Sequence, residues 1–124
     1  MEELVLRTID NGSQNTVINV MDGPGAGGAC HEYRIRTVSQ YEFGSEEVGS
    51  ISFQNGPIKE NGVNGCTQED LLAIVIDRLR SFQAGGFACR ENALALTKCE
   101  EAQMWLQSRT AKRVARGVEG VNVV

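Results

Sequence analysis

The stretch from Cys89 to Gly120 constrains the fold of this chain most strongly. It reads CRENALALTKCEEAQMWLQSRTAKRVARGVEG, and it reaches Gly117 without an earlier glycine or any proline. A run of this kind predicts one long helix that ends at the glycine. Its last third carries four cations without an acid among them: Arg109, Lys112, Arg113 and Arg116. Because the whole chain has a net charge of −4, this local reversal of sign marks where we expect a ligand to bind.

The charges divide the chain into two parts. Residues 1–66 contain four Lys and Arg against nine Asp and Glu, and residues 67–124 contain eight against seven. A length of 124 residues predicts a single domain, 1–124, with a β-rich part at 1–66, a helical hairpin at 67–120 and a tail at 121–124. The acidic net charge argues against a general binder of DNA or RNA.

The N-terminus and the cysteines indicate a cytoplasmic protein. The first residues, MEELVLRTID, lack the apolar run of a signal peptide, and no stretch approaches the roughly 18 apolar residues of a membrane span. The cysteines form no C-x-x-C pair and are expected to be free thiols. They are Cys30, Cys66, Cys89 and Cys99.

Four segments in the first part have the composition of β-strands. They are residues 4–9, 16–21, 31–38 and 48–53, where apolar and β-branched residues recur or alternate with polar ones. Asp10-Asn11-Gly12 is a strong hairpin signal between the first two. Together they predict a small antiparallel sheet. The glycine-rich segment, residues 22–28, is either a ligand loop or a connection, and no G-K-[ST] motif follows it.

The spacing of apolar residues becomes helical at Thr67. Thr67 is suited to cap a helix, because two acids follow in the first turn, and apolar residues then recur at helical spacing up to Phe82. Helices at about 67–82 and 89–116, separated by Ala84-Gly85-Gly86, predict an αα-hairpin. The expected fold class is therefore α+β, with a small N-terminal antiparallel β-sheet followed by a C-terminal αα-hairpin.

One face of the second helix is predicted to combine apolar packing residues with two arginines. At about 100° per residue, the apolar residues fall within one sector about 140° wide. They are Leu94, Ala95, Cys99, Ala102, Trp105 and Leu106. Arg109 and Arg113 lie in the same sector, where a buried guanidinium needs a partner. Either this end of the face is solvated or paired with carboxylates, or the arginines bind an anion such as phosphate.

Phe82 and Asn92 face each other across the predicted hairpin turn. One interpretation is that Phe82 packs in the core and Asn92 caps the helix. The other is that the pair recognises a nucleobase, since an aromatic ring can stack on adenine while an amide binds an edge of the base.

Catalysis has little support in the sequence. His31 is the only histidine, and Cys30 is its neighbour in the chain, which does not bring the two side chains together. No G-x-S-x-G, H-E-x-x-H or paired-acid motif is present. We expect no enzymatic activity, no metal and no cofactor.

Three motifs in order resemble a known family: ISFQNGPIKENGVNG, LLAIVIDRLRSFQ and FACRENALALTKCEEAQMWLQSRTAKRVARGVEG. They closely resemble the phage Thoeris anti-defence sponge proteins of the first type, over about residues 31–120. The hairpin also resembles that of phage anti-CBASS sponges. The resemblance implies a protein of the bacterial host cytoplasm that binds the cyclic ADP-ribose isomers made by TIR-domain enzymes, without cleaving them, and so blocks Thoeris immunity. It also implies that some members bind CBASS cyclic oligonucleotides at a second site created by assembly, up to a hexamer.

The resemblance also carries over site residues. It places the cyclic ADP-ribose pocket at four positions: Phe82, Asn92, Arg109 and Arg113. Charge and proximity add two more: Arg116 and Arg90. For cyclic oligonucleotides, charge alone suggests Arg34 and Arg36.

Helix geometry adds a constraint on these residues. Asn92 and Arg109 are 17 positions apart on one predicted helix, or about 25 Å at 1.5 Å per residue. A cyclic ADP-ribose is shorter than this. If both residues touch one ligand, they must come from two chains, and an antiparallel pairing of the long helices would give two equal sites per homodimer.

Two other functions stay open. The chain could be an enzyme that hydrolyses a cyclic nucleotide signal. It could also be a structural oligomerisation module in which the arginines only bridge subunits.

Overall fold

The structure, a computed structural model, describes residues 4–38, 46–117 and 120. Its contacts group into two compact units. The sheet unit comprises residues 1–56 and 61–65, and the hairpin unit comprises residues 57–60 and 66–124. The single domain over 1–124 stays a prediction. In the described part of the chain, no helix has the length and apolar character needed to cross a membrane.

The sheet unit contains four antiparallel strands whose order in the sheet follows the chain. They are β1 (Arg7–Ile9), β2 (Thr16–Val20), β3 (Glu32–Thr37) and β4 (Glu47–Ser52). Ile18 pairs with Ile9 on one side and with Ile35 on the other, which aligns the three side chains on one face of the sheet. Val20 lies on the same face and is fully buried. The predicted antiparallel sheet is confirmed.

The first three strands are shorter than the sequence pattern predicts, whereas β4 has the predicted length and begins one residue earlier. β1 begins at Arg7 and not at Leu4, because the side chains of Leu4 and Leu6 remain exposed and bury little apolar surface against the sheet. The backbone N–H of Leu6 still donates to the carbonyl of Val20 (3.0 Å). The glycine-rich segment was predicted to hold no regular element, yet it contains a 3-10 turn at Ala26–Gly28. Gly27 has a φ of 75° there, which glycine adopts without a steric cost.

The hairpin unit contains the two predicted helices and a short one that was not predicted. α1 spans Ile58–Asn61, α2 spans Gln68–Ala84 and α3 spans Arg90–Ala115. A helix of four residues is too short to show an apolar period, which explains why the sequence pattern missed α1. The ends of α2 and α3 lie within two residues of the predicted ones, and the αα-hairpin is confirmed.

Local chemistry explains where the long helices begin and end. The Thr67 hydroxyl accepts from the N–H of Asp70 (3.2 Å), and the Asp70 carboxylate accepts from the N–H of Thr67 (2.9 Å), which is a reciprocal capping box. At the start of α3, the Cys89 sulfur accepts from the N–H of Asn92 (3.4 Å). Gly117 ends α3 with a φ of 72°, and its N–H donates to the carbonyl of Val114 (3.0 Å).

α2 and α3 are joined by polar contacts along their length. The amide of Gln103 donates to the carbonyl of Glu69 (3.0 Å), and a guanidinium nitrogen of Arg80 lies 2.7 Å from a carboxylate oxygen of Glu100. The early α2 residue Glu69 contacts a residue further along α3 than the late α2 residue Arg80 does, so the two helices are antiparallel.

The face of α3 that is sheltered within the chain overlaps the predicted one only at Cys99, Leu106 and Arg113. Leu94 is 46% exposed and Trp105 is 74% exposed, and Ala95, Ala102 and Arg109 are also exposed. The sheltered residues recur at helical spacing on a neighbouring sector: Asn92, Leu96, Cys99, Gln103, Leu106, Thr110 and Arg113. Apolar residues occur on both sectors of α3, and hydrophobicity alone does not indicate which one faces α2. The exposed sector stays apolar without a described partner in this chain.

Candidate ligand-binding site

The basic end of α3 forms an open groove of about 340 Å³, here called the basic groove. Its lining comes from α3 and the residue that caps its C-terminal end: Trp105, Ser108, Arg109, Lys112, Arg113 and Arg116. These positions follow one another at intervals of one or three residues, which places their side chains on adjoining strips of the helix surface. The predicted arginines Arg109, Arg113 and Arg116 are therefore brought together.

The charges in the basic groove suit an anion that carries more than one negative charge. Four of the six lining residues are cations, and none of the described lining residues is a carboxylate. Arg113 is only 7% exposed, so the surrounding structure holds its side chain, whereas Arg109, Lys112 and Arg116 are exposed. Guanidinium groups donate paired hydrogen bonds to phosphate oxygens, and the Lys112 ammonium adds a point charge.

The two predicted residues at the hairpin turn, Phe82 and Asn92, form a second group with Phe87, here called the turn cluster. The Asn92 amide donates to the carbonyl of Phe87 (3.3 Å). The rings of Phe82 and Phe87 meet edge to face, with centroids 6.1 Å apart and an angle of 81° between their planes. The guanidinium carbon of Arg78 lies 5.1 Å from the centre of the Phe82 ring. One face of Phe82 is therefore already covered.

The basic groove and the turn cluster lie toward opposite ends of one unbroken helix. α3 runs from Arg90 to Ala115 without interruption, so Asn92 and Arg109 are about 25 Å apart along its axis. Arg90 is the first residue of α3 and is exposed beside the turn. Within one chain, the structure therefore gathers the groove arginines in one place, and Phe82 and Asn92 each contact Phe87, but the two groups remain apart.

Several residues around the site were not predicted to take part in it. Trp105 was assigned to the packing face, whereas it lines the groove and is 74% exposed. Ser108 gave no signal, and Lys112 was noted only for its charge. Phe87, 77% exposed at the turn, could have been found as an aromatic residue directly after Gly85-Gly86.

Arg34 and Arg36, suggested for a second ligand, lie two residues apart on β3 in the sheet unit. They share one face of the sheet, with Asn19 opposite Arg34 and Val17 opposite Arg36. The Arg34 guanidinium lies 3.2 Å from the Glu47 carboxylate. Among the described residues, the buried Nε of Arg36 has no hydrogen-bond acceptor. A cyclic oligonucleotide site at these residues stays a prediction.

The only histidine is part of a structural cluster in the sheet unit. His31 is 5% exposed, and its Nδ1 lies 3.9 Å from the Asp22 carboxylate. That carboxylate accepts from the backbone N–H groups of His31 and Glu32 at 3.0 Å. Burial raises the pKa of Asp22, but these N–H groups and the nearby imidazole outweigh it and hold the pKa below its ordinary value.

The neighbouring thiol does not complete a catalytic group with His31. The Cys30 sulfur lies 4.0 Å from a guanidinium nitrogen of Arg7, and no hydrogen bond joins it to His31 among the residues that the structure describes. All four cysteines are free, as predicted. Over residues 4–38, 46–117 and 120, no three His, Cys, Asp or Glu residues gather in a way that could hold a metal ion.

Comparison with known proteins places the hairpin in a family. A chain of Bacillus phage SBSphiJ7, described as "Thoeris anti-defense 1", is 55% identical over 76 residues, which are 61% of this chain and 54% of that relative. This chain thus spans about half the length of the curated relative. Residues 45–111 match the family described as "Acb2/Tad1, hairpin domain", a range that includes Phe82, Asn92 and Arg109. The match covers 67 of 124 residues, and the protein belongs to the Acb2/Tad1 hairpin-domain family.

Proposed function

We propose that this protein binds cyclic ADP-ribose isomers made by TIR-domain enzymes and sequesters them without cleavage, which blocks Thoeris immunity in the cytoplasm of the bacterial host. The observation that carries the proposal is the basic groove, in which three cations on α3 and Arg116 directly after it face one open volume of about 340 Å³. The similarity to a phage protein described as "Thoeris anti-defense 1" supports the same function.

The groove suits the pyrophosphate that every cyclic ADP-ribose carries. Two adjacent phosphates present several anionic oxygens, and Arg109, Lys112, Arg113 and Arg116 offer matching donors. A hydrogen bond to a charged group contributes about 1.5–3 kcal/mol, so two or three such bonds give substantial affinity before any contact with the base. The buried position of Arg113 supports a preorganised donor, which lowers the entropy lost on binding.

We further propose that each binding site takes residues from two chains. The basic groove of one chain would supply Arg109, Arg113 and Arg116, and the turn cluster of its partner would supply Phe82 and Asn92, with Arg90 beside them. The distance of about 25 Å along α3 supports this division. The exposed apolar sector of α3, which includes Leu94, supports a pairing of long helices in a homodimer. Assembly to a hexamer stays a prediction.

Sequestration requires affinity and abundance, not turnover. The protein must bind the signal more tightly than the immune effector does, and it must be present in amounts that lower the free signal. The chemistry of the groove supports binding over hydrolysis, because the lining residues that the structure describes offer cations and a hydroxyl but no carboxylate or imidazole that could act as a general base.

Calorimetric titration of the full chain with each cyclic ADP-ribose isomer tests the proposal. We expect about one site per chain and a loss of roughly 10- to 150-fold in affinity for Arg109→Ala. Lys98→Ala is the matched control, since Lys98 is an exposed cation on the same helix outside the groove. If Arg109→Ala binds the ligand as tightly as Lys98→Ala does, the proposal is wrong.

Two further measurements separate the competing functions. After binding, the protein is denatured and the released ligand is analysed: intact ligand supports sequestration, and ligand changed by substoichiometric protein indicates an enzyme. The size of Arg109→Ala and Arg113→Ala assemblies is then measured. Loss of the oligomer indicates a structural module, whereas an intact oligomer that no longer binds supports the sponge function.

A further inference from the structure

Trp105 is the most unusual residue of the basic groove. It is the only tryptophan of the chain, it lines the groove, and 74% of it is exposed. Tryptophan is usually well sheltered in a folded protein, because its large ring gains much from leaving water. A wide exposed indole beside four cations therefore indicates a surface that a ligand covers.

The position of Trp105 on α3 matches a nucleotide whose phosphates lie on the cations. Arg109 follows Trp105 after four residues and Lys112 after seven, so the ring lies about one to two helical turns from the groove cations on the same side of the helix. The distance from the base of a nucleotide to its phosphates is similar to this distance of one to two helical turns along α3. One side of α3 thus offers an aromatic surface at one end and anion donors at the other.

The indole is also more accessible than the other aromatic candidate. The ring of Phe82 is covered on one face by Arg78 and contacts Phe87 at its edge. Among the residues that the structure describes, no ring and no cation stacks on Trp105. Stacking on a base needs a free aromatic face, and Trp105 has one.

We infer that Trp105 is a base-stacking residue of the binding site, on which the nucleobase of the ligand lies while its pyrophosphate binds Arg109, Lys112 and Arg116. This inference rests on the proposed function for the identity of the ligand. It assigns the basic groove a recognition element for an adenine nucleotide in addition to its charges. Base–aromatic stacking tolerates any base but requires one, so a pyrophosphate without a base gains nothing from Trp105.

The test uses Trp105 as its own reporter, since its emission is the only tryptophan signal of the chain. The full-length protein is titrated with cyclic ADP-ribose, ADP and inorganic pyrophosphate, with excitation at the red edge of the indole band to avoid adenine absorption. Both nucleotides are expected to quench the emission, and pyrophosphate is expected to bind by calorimetry with little quenching. Trp105→Leu should weaken nucleotide binding about 5- to 150-fold and leave pyrophosphate binding unchanged, whereas Trp105→Phe should keep most of the affinity.

Three results for Trp105→Leu would overturn the inference. Its nucleotide affinity could equal that of the unmodified chain, or its affinity for pyrophosphate could fall as much as its affinity for the nucleotides. Its assembly size could also change, which would make Trp105 a subunit contact. The ADP titration separates this inference from the proposed function. If the unmodified chain binds ADP with quenching but no cyclic ADP-ribose isomer, the proposed function is wrong and the stacking role holds. If neither nucleotide binds, both are wrong.

Discussion

Asn92 and Arg109 lie 17 residues apart on the same unbroken helix, about 25 Å along its axis, so one small ligand cannot touch both in one chain. Each residue nevertheless belongs to a distinct local arrangement. Asn92 is held at the hairpin turn by its hydrogen bond to the carbonyl of Phe87, and Arg109 lines the basic groove. This relationship makes the proposed two-chain site directly testable.

Heterodimers of two inactive variants should recover binding. Asn92→Ala and Arg109→Ala homodimers are expected to bind cyclic ADP-ribose weakly. When the two are co-expressed with different tags and the heterodimer is purified, one of its two sites contains both native residues. Calorimetry should then give one site per heterodimer, half the number in the unmodified dimer, with native affinity.

The matched control places both substitutions on one chain. A heterodimer of the unmodified chain with the Asn92→Ala, Arg109→Ala double variant has no complete site if the residues act across chains, and it has one complete site if they act within a chain. Strong binding by this heterodimer, together with none by the first, would refute the shared site.

Substitutions of Arg109 and Arg113 should differ in their effect on stability. Arg109 is exposed, so Arg109→Ala should weaken ligand binding while the free energy of unfolding changes by less than about 0.5 kcal/mol. Arg113 is 7% exposed, so Arg113→Ala should weaken binding and also lower the free energy of unfolding by about 1–3 kcal/mol, because it removes packing and leaves polar groups without a partner. Denaturant unfolding without ligand measures the difference; equal stability of the two variants would contradict it.

The sequence predicts the long helices and the sheet well because their signals are local and repeated. The Thr67 cap, the apolar period of α2 and the glycine at 117 each identify a boundary within a few residues. The four-residue helix α1 and the 3-10 turn at Ala26–Gly28 escape this reasoning, since neither is long enough to show a period.

The candidate site is predictable in its charges but not in its apolar part. Arg109, Arg113 and Arg116 stand out as cations in an acidic chain, and the structure gathers them in one groove. Trp105 and Leu94 look like core residues in the sequence, yet both are exposed. An apolar residue that contacts a ligand or a second chain has the same hydrophobicity as one that packs within its own chain. The sequence pattern therefore does not distinguish binding residues from core residues.

The sheet unit should lose stability at low pH through Asp22. Its pKa is below the ordinary value in the folded protein, so the folded state favours the charged carboxylate. The resulting stability is complete above the unfolded pKa, about 4, and is lost as the pH falls through the lower folded pKa. Asp22→Asn should therefore be less stable at pH 7 and should show a weaker dependence of stability on pH below about 4.

Asp10→Asn serves as the control for this pH effect. Asp10 is an exposed carboxylate of the same unit, and it accepts one backbone N–H, from Gly12 at 2.8 Å. Asp22 instead accepts from the backbone N–H groups of two residues, His31 and Glu32. Unfolding is followed by circular dichroism between neutral and acidic pH. If both variants show the same pH profile as the unmodified chain, the Asp22 contacts do not contribute to the acid sensitivity.

The capping box at Thr67 should contribute to stability and not to ligand recognition. Thr67→Ala removes the acceptor for the N–H of Asp70 and should lower the free energy of unfolding by about 0.5–2 kcal/mol, whereas Thr67→Ser keeps the hydroxyl and most of the stability. Cyclic ADP-ribose affinity should be unchanged at temperatures where the variant is folded, because Thr67 and Asp70 belong neither to the lining of the basic groove nor to the turn cluster. Reduced affinity of a fully folded Thr67→Ala protein would contradict this prediction and would show that the start of α2 takes part in the site.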